Sequence, residues 1–259
     1  MSKEEKSASL FILIGVITGA LVGVAGSQFG DTFNSFPLFG LVVVIAFGIQ
    51  ILGFIPAYIS QTEKYYDITG TVTYVLTTIV ALLLTRNLDI RSYLLATLII
   101  VWALRLGIFL FRRVHDVGKD GRFDNLKPSF IRYLNAWIIQ GLWVSFTAAA
   151  ALTAISSSDK VEMGAIGFTG LVIWIAGFTI EVKADSQKKK LALVLKTRIG
   201  SLMKGSGLDL AIQTILEKYF YGLAYLLSPF RFYKVHNYLL LFLQYLYISS
   251  LLKEVEFQS

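Results

Sequence analysis

The feature that most constrains this chain is a series of apolar stretches, each long enough to cross a bilayer as a helix and nearly free of charged residues. A helical crossing needs about 20 mostly apolar residues for a hydrocarbon core of roughly 30 Å. The stretches up to residue 190 are Leu10–Ala25, Leu38–Ile59, Thr71–Leu84, Tyr93–Phe111, Ile131–Ile155 and Met163–Val182. The sequence therefore predicts an all-α, polytopic transmembrane helical bundle with about six spans in this part.

Other interpretations of the apolar stretches fit less well. They lack the strict alternation of lipid-facing barrel strands, and a helix satisfies its own backbone hydrogen bonds in lipid. Leu10–Ala25 has some features of a secretory signal, but its apolar run is long and more spans follow. The third stretch is short and has an alternative start near Ile68. Two further apolar segments, Tyr219–Leu227 and Tyr238–Leu252, lie in the tail, and the first is too short to predict as a span.

The positive charges indicate how the spans are oriented. Basic residues concentrate after the fourth and sixth stretches, at Arg112, Arg113, Lys119, Arg122, Lys127, Arg132, Lys188, Lys189 and Lys190. Because lysine and arginine favour cytoplasmic loops, we expect an integral multi-pass protein with a cytoplasmic N-terminus and cytoplasmic basic loops. The net charge of +7 follows from this arrangement, so no nucleic-acid partner is predicted. Membrane lipids are the expected surroundings.

Composition removes several kinds of site. The chain has no cysteine, which rules out disulfides, thiolate metal sites and a cysteine nucleophile. Two histidines leave little material for a histidine metal centre, and no metal is predicted. The sequence contains no Gly-x-Gly-x-x-Gly, Walker or serine-elbow motif.

Arg105 is a candidate binding residue because it lies inside the fourth apolar stretch. An ionisable group at membrane depth is costly, and it usually faces a polar cavity or a partner. Its spacing from Arg112 and Arg113 places it on a helical face with one or both. Such a stripe suits a phosphate-bearing ligand. The alternative is that Arg105 snorkels toward the basic end of the helix.

Glu181 and Asp185 are separated by one helical turn where the sixth span leaves the membrane, and Lys188 follows on the same face. In one interpretation these carboxylates contact ribose hydroxyls or a cofactor amide while the arginines bind phosphate. In the other, they form an ordinary solvated helix end with a surface ion pair. Both interpretations remain open at this stage.

Tyr66 precedes the third apolar stretch in the segment Lys64–Gly70. We favour an interfacial aromatic anchor, with Asp67 or Thr69 as the helix N-cap. The alternative is a tyrosine that donates a proton in catalysis, which makes Tyr66 the candidate catalytic residue.

These motifs together form an ordered series. They are Tyr66–Asp67–x–Thr69–Gly70–x–x–x–Tyr74, Trp102–x–x–Arg105–x–Gly107, Arg113, Lys119–Asp120–x–Arg122–Phe123–Asp124, Gln140–x–x–Trp143 and Gly177–Phe178–x–Ile180–Glu181–x–x–Ala184–Asp185–x–Gln187–Lys188. The series resembles the steroid 5α-reductase-like membrane family, including its uncharacterised bacterial branch. The resemblance covers roughly residues 40 to 190.

The resemblance implies a helical membrane fold that binds NADPH in a cavity open to the cytoplasm. It implies reduction of a carbon–carbon double bond in a sterol-like or isoprenoid lipid. Arg105, Arg112, Arg113, Glu181 and Asp185 are then the expected cofactor-binding residues. Related folds include methyltransferases that use S-adenosylmethionine, so the fold alone leaves that chemistry as an alternative.

The chain departs from the resemblance after Lys190. Family members continue to a Gly–Leu–Trp and then to Arg–His–Pro–Asn–Tyr–Phe–Gly–Glu, which contributes to the cofactor site, whereas this chain reads Leu191–Ala192–Leu193–Val194–Leu195–Lys196. His236–Asn237–Tyr238 is similar to part of the motif, but it comes too late and lacks the proline.

The missing motif is recoverable from the genetic code. When the third base of each codon is read with the first two bases of the next, Met203 to Gly207 permit Glu–Gly–Leu–Trp. Leu210 to Lys218 permit Arg–His–Pro–Asn–Tyr–Phe–Gly–Glu in the same frame. The order and spacing are those of the family, and two bases of each shifted codon are set by the next residue of this chain.

We therefore divide the chain into a core, residues 1–190, and an atypical, frameshifted tail, residues 191–259. The expected function is that of an NADPH-dependent membrane oxidoreductase acting on a lipid-like substrate, impaired in this chain because part of the cofactor site is lost. An inactive membrane protein is a further alternative. A transporter is disfavoured because no internal repeat is visible. The oligomeric state stays open.

Overall fold

The computed structural model describes residues 1–28, 30–117 and 120–206. In this part of the chain, helices account for nearly all regular structure. They are α1 (Lys3–Ala25), α2 (Leu38–Ile59), α3 (Tyr66–Leu84), α4 (Ile90–Val117), α5 (Phe130–Ser156) and α6 (Ala165–Ser206). A two-stranded hairpin, β1 (Thr32–Phe33) with β2 (Phe36–Pro37), joins α1 to α2, and a 3₁₀ turn spans Gly121–Phe123.

Each of the six helices is long and apolar enough to cross a membrane. The prediction of an all-α, multi-pass membrane bundle is confirmed. Both predicted ends of the second span, Leu38 and Ile59, are the ends of α2. The fifth span is correct to within one residue at each end, since α5 is Phe130–Ser156. Apolar length alone therefore located these two helices to within one residue at each end.

The predicted cap of the third helix is wrong. We expected Asp67 or Thr69 as N-cap, but α3 begins at Tyr66, with Tyr65 as N-cap and no side-chain cap hydrogen bond. The helix starts earlier because the Tyr66 backbone N–H donates to the Glu63 carbonyl at 3.0 Å, and the polar first turn continues from there. Thr69 instead donates its hydroxyl to the Tyr65 carbonyl at 2.7 Å.

The chain divides into two units, Met1–Glu162 and a second that begins at Met163. In the first unit, α5 packs against α1, α2 and α3, and α3 packs between α2 and α4. Helix α5 is thus the central element, and its buried face includes Tyr133, Trp137, Val144 and Leu152.

Helix α1 packs through a row of small residues. Gly15, Gly19 and Gly23 recur every four residues and are buried. A methyl group added at Gly19 would lie 2.6 Å from the ring of Phe47 on α2, closer than real carbon atoms approach. Small residues let membrane helices approach closely, where packing rather than the hydrophobic effect drives association. This row of glycines allows α1 to pack closely against the rest of the bundle.

The N-terminus and the start of α5 lie at the same end of the first unit. Glu4 forms an ion pair with Arg132 at 2.7 Å, and the Ser129 hydroxyl donates to Glu5 at 2.9 Å. Ser2 and Glu5 also form a reciprocal capping box at the start of α1. The shared end agrees with the alternation of spans, while its cytoplasmic orientation stays a prediction.

The opposite end of the first unit is tied by hydrogen bonds to backbone groups. The Asp31 carboxylate accepts from the Arg86 backbone N–H at 2.9 Å, and the Lys160 ammonium donates to the Ile155 carbonyl at 2.7 Å. Burial lowers the pKa of Lys160, and the nearby Asp89 and Asp31 carboxylates oppose that shift. These bonds hold the segment after α3 and the segment after α5 at this end of the first unit.

The described part of the second unit consists of one long helix. Helix α6 contains 42 residues, about 63 Å at the usual rise per residue, so it is about twice as long as a bilayer core is thick. Its candidate span is Ala165–Gln187. The predicted tail segments Tyr219–Leu227 and Tyr238–Leu252 lie outside the described residues, and the boundary at residue 191 stays a prediction.

Candidate functional site

A polar and aromatic seam runs between α3 and α5 in the first unit. Tyr66, Gly70 and Tyr74 follow one another at four-residue intervals, so they lie on one face of α3. Each of them meets a residue of α5 or the carbonyl of one. We call this set of contacts, with Trp102 of α4, the α3–α5 seam.

The first contact of the seam involves Tyr66. Its hydroxyl donates to the Ala136 carbonyl at 3.1 Å. Its ring lies 4.8 Å from that of Phe123 and 5.3 Å from that of Trp137, measured between centroids. The predicted catalytic tyrosine is therefore half-buried in an aromatic cluster with its hydroxyl on a backbone acceptor.

The second contact places Gln140 over Gly70. A methyl group at residue 70 would lie 2.7 Å from the Gln140 Nε2 atom, so the amide in this position packs directly on the glycine. One turn further along α3, the Thr73 hydroxyl oxygen accepts a hydrogen bond from the Gln50 Nε2 atom at 2.8 Å. Two glutamines from different helices thus reach the same turn of α3.

The third contact joins Tyr74 to Thr147. Their hydroxyl oxygens are 2.5 Å apart. Because the Thr147 hydroxyl already donates to the Trp143 carbonyl at 2.8 Å, Tyr74 is the donor in this pair. The Tyr74 ring also meets the Trp102 ring of α4 edge to face, with centroids 5.1 Å apart.

Close packing holds α4 beside the seam. Gly107 of α4 lies so near to α3 that an added methyl group would overlap the Thr71 hydroxyl. Ala103, one turn before Gly107, is also buried. Gly107 and Trp102 belong to the same sequence motif, so this motif fixes how α4 meets α3.

The predicted arginines occupy another face of α4. Because α4 is continuous, Arg105 and Arg112 lie about 20° apart around the helix axis and about 10 Å apart along it. Both are turned away from Ala103 and Gly107, which pack on α3. Arg105 is half-buried and Arg112 is exposed. The backbone of Arg113 belongs to α4, about 80° from Arg105, and its side chain is outside the described atoms.

Glu181 and Asp185 lie on α6, in the second unit. They are one turn apart on a continuous helix, as the sequence predicted, and both are half-buried. They stand in the last part of the candidate span Ala165–Gln187. Lys188 follows one turn later on the same helix.

A partly buried ion pair beside Tyr66 was not predicted from the sequence. The Glu63 carboxylate accepts from the Lys127 ammonium at 2.6 Å and from the Asp120 backbone N–H at 2.9 Å. Burial would raise the pKa of Glu63, but these two hydrogen bonds outweigh it and hold that pKa below the ordinary value. Burial would lower the pKa of Lys127, but the hydrogen bond to Glu63 outweighs it and raises that pKa above the ordinary value.

This ion pair fixes the segment that precedes α5. The segment carries the motif Asp120–Asp124, and Phe123 from it inserts between the rings of Tyr66 and Tyr133. Tyr133 in turn donates its hydroxyl to the Thr62 carbonyl at 2.8 Å. Glu63 and Lys127 are 64 residues apart, and nothing in their local sequence signals that they meet.

Within the described ranges, no group of three or more histidine, cysteine, aspartate or glutamate residues is placed to hold a metal ion. Beside the seam, the titratable Glu63 and Lys127 are paired with each other. The chemistry available at the seam is therefore that of hydroxyls, amides and aromatic rings.

Comparison with known proteins identifies one family. The model of a family described as a protein of unknown function, DUF1295, matches residues 53–207, which is more than half of the chain. This range contains all of α3, α4 and α5 and all of the sequence motifs that form the seam. No curated protein and no solved structure matches the chain.

Proposed function

The chain belongs to the DUF1295 family of proteins of unknown function, and we propose that it is by descent an NADPH-dependent membrane reductase. Its reaction would be the reduction of a carbon–carbon double bond in a sterol-like or isoprenoid lipid. The proposal rests on the resemblance of its ordered motifs to the steroid 5α-reductase-like family.

One structural observation supports the proposal. Motifs that are far apart in the sequence meet in a single set of contacts, the α3–α5 seam. Tyr74 of the first motif contacts Trp102 of the second, and Gly70 contacts Gln140 of a later one. Motif residues that pack on one another from three helices are what a shared site requires, whereas scattered matches would have no reason to coincide.

The donor chemistry of α4 fits a dinucleotide phosphate. Arg105 and Arg112 present two guanidinium groups on one helical face, and guanidinium is the side chain best suited to phosphate oxygens. Arg113 follows on a neighbouring face. Glu181 and Asp185 offer carboxylates suited to ribose hydroxyls or to an amide. When bound, NADPH would supply the hydride, while these residues would bind and orient it.

The described seam suits a neutral lipid better than a charged substrate. Its side chains are aromatic rings, hydroxyls and amides, and Trp143 beside Gln140 leaves 40% of its surface exposed. Tyr66 is the weaker assignment, as a proton donor, because its hydroxyl is already bonded to the Ala136 carbonyl. A catalytic Tyr66 would have to exchange that acceptor for the substrate.

The tail determines how active this chain is. The Arg–His–Pro–Asn–Tyr–Phe–Gly–Glu motif that completes the cofactor site in the similar family is absent from the chain as written. We expect NADPH binding to be weak in this chain and restored when residues after about 191 are translated in the shifted frame. The two forms give a matched pair for every binding measurement.

The test is an NADPH titration of purified, frame-restored protein in lipid nanodiscs, followed by the quenching of protein fluorescence. Arg105→Ala should weaken binding about tenfold or more, since a charge-assisted hydrogen bond to phosphate is lost. Arg86→Ala, at the opposite end of the first unit, should leave it unchanged. Equal affinity in Arg105→Ala would remove Arg105 from the site. Binding of S-adenosylmethionine instead of NADPH would overturn the reductase in favour of a methyltransferase.

A further inference from the structure

Gln50 is a fully buried polar side chain on the apolar helix α2. It lies near the middle of α2 and has no exposed surface. Its amide nitrogen donates to the Thr73 hydroxyl oxygen at 2.8 Å. Its amide oxygen is buried and has no hydrogen-bond partner in the described part of the chain.

The orientation of this amide is set by the hydrogen bonds around it. Thr73 uses its hydroxyl hydrogen to donate to the Thr69 carbonyl at 2.7 Å, so its oxygen is left to accept. Only the nitrogen end of the Gln50 amide offers a hydrogen to that oxygen. The amide oxygen of Gln50 must therefore point away from Thr73.

Gln140 presents a second oxygen of the same kind. Its Oε1 atom is buried and also lacks a partner among residues 1–28, 30–117 and 120–206. Gln140 lies against Gly70 of α3, one turn from Thr73. The neighbouring residue on α5, Gly141, has Gln50 beside it, with 3.2 Å between the Gln50 Cγ and a methyl group placed at that glycine. The two amides thus enter the same junction of α2, α3 and α5.

Two unsatisfied amide oxygens are costly in this position. A buried acceptor without a donor costs about 1–3 kcal/mol, and the hydrocarbon around a membrane helix provides no hydrogen to compensate it. Replacing either glutamine by an apolar residue would remove that cost, so an empty junction would give the side chains no physical advantage. A hydrogen-bond donor bound between the two amide oxygens would offset that cost.

We propose that the Gln50 and Gln140 amide oxygens form an acceptor site for a neutral O–H donor within the membrane. The donor is either the hydroxyl of a lipid alcohol or a water molecule that bridges the two oxygens. A cationic donor is disfavoured because Thr73, Gly70 and Gly141, which contact the amides, carry no charge to compensate it. The site does not depend on the proposed reductase activity, because binding of an alcohol needs no cofactor.

The experiment uses the purified full-length chain in detergent without cofactor. Oleyl alcohol is titrated while the apparent Tm is measured, and its methyl ether, which lacks the O–H donor, is the matched ligand control. The variants are Gln50→Met, Gln140→Met and the double variant, in which an apolar side chain of similar length replaces each amide. Thr78→Val is the control variant, because the buried Thr78 hydroxyl bonds only to the Tyr74 carbonyl of its own helix among the contacts described.

If a lipid alcohol is the donor, oleyl alcohol raises the Tm and the ether does not. Each glutamine variant then weakens binding of the alcohol by about three- to tenfold, the usual effect of one hydrogen bond. If water is the donor, alcohol and ether act alike, but the Tm losses of the two single variants sum to more than the loss of the double variant, because either substitution breaks the shared bridge. Gln50→Met also loses its bond to Thr73, so the comparison uses the sum of the single losses.

The proposal is overturned if alcohol and ether act alike and the Tm changes of the two glutamine variants are additive in the double variant. That result would mean that the amide oxygens are unsatisfied and that nothing occupies the junction. Gln140 is only half-buried. Should Gln50→Met not yield folded protein, the response of Gln140→Met to alcohol and ether decides the same question.

Discussion

The Glu63–Lys127 pair offers the sharpest test of the first unit. The side chains expose only 5% and 15% of their surface, and Glu63 also accepts the Asp120 backbone N–H at 2.9 Å. Removing one member of a buried pair leaves the other charge uncompensated, at a cost of about 3–5 kcal/mol. Asp124, 3.5 Å from the Lys127 ammonium, would take over part of the interaction. We therefore expect Glu63→Ala to destabilise by about 3 kcal/mol, near the lower limit.

Glu63→Gln separates the charge from the hydrogen bonding. Glutamine keeps an acceptor for the Asp120 N–H but loses the charge attraction to Lys127. Glu63→Gln should therefore show about half of the destabilisation expected for Glu63→Ala. Thermal unfolding in detergent measures both variants. A loss of 3 kcal/mol corresponds to a Tm lower by about 6–12 °C for a chain of this size. Lys64→Ala, which changes an exposed neighbour, is the control.

The pH dependence gives an independent check. The pKa of Glu63 in the folded protein lies below its ordinary value of 4.5, so the pair stabilises the fold fully above that pH. As the pH falls through the lowered pKa, the carboxylate is protonated and this contribution is lost. The Tm difference between the native chain and Glu63→Gln should thus be largest near pH 7 and disappear in acid. A Glu63→Ala Tm within about 2 °C of the Lys64→Ala control at pH 7 would refute the ion pair as a determinant of stability.

Three further predictions follow from the seam and the tail. Tyr74→Phe should destabilise by about 1 kcal/mol, and adding Thr147→Val should cost little more, because both remove one hydrogen bond; additive losses in a double-mutant cycle would contradict the bond. Gly107→Ala should destabilise by about 1–3 kcal/mol through overlap with α3, whereas Gly48→Ala, with open space around it, should not; equal Tm values would contradict the packing. Sequencing the gene beyond codon 191 should reveal bases that encode the lost motif in the shifted frame, and other bases at those third positions would end that hypothesis.

The sequence predicted the spans well because one physical requirement dominates them. A helix in lipid must be about 20 residues long and apolar, and that is visible without tertiary information. Helix α2 agrees with its prediction at both ends. Helix α3 begins five residues before the predicted Thr71, because its first turn is polar and is held by a hydrogen bond to Glu63. Hydropathy does not register such a turn.

The seam was harder to predict than the spans. Its motif residues were recognised, yet nothing in the sequence indicated that Gly70 would receive Gln140 or that Tyr74 would bond to Thr147, 73 residues later. Gln50 could have been recognised from the sequence as a candidate site residue. A lone amide in an apolar span costs free energy unless it has a hydrogen-bonding partner. The same reasoning made Arg105 a candidate.

We propose above that this fold binds NADPH through the arginines of α4. The most direct measurement is an experimental structure of the frame-restored protein, in nanodiscs, with NADPH present. We expect cofactor density with phosphate oxygens within hydrogen-bonding distance of the Arg105 guanidinium. Cofactor density that leaves Arg105 without a contact to it, or no cofactor density at saturating NADPH, would contradict the account.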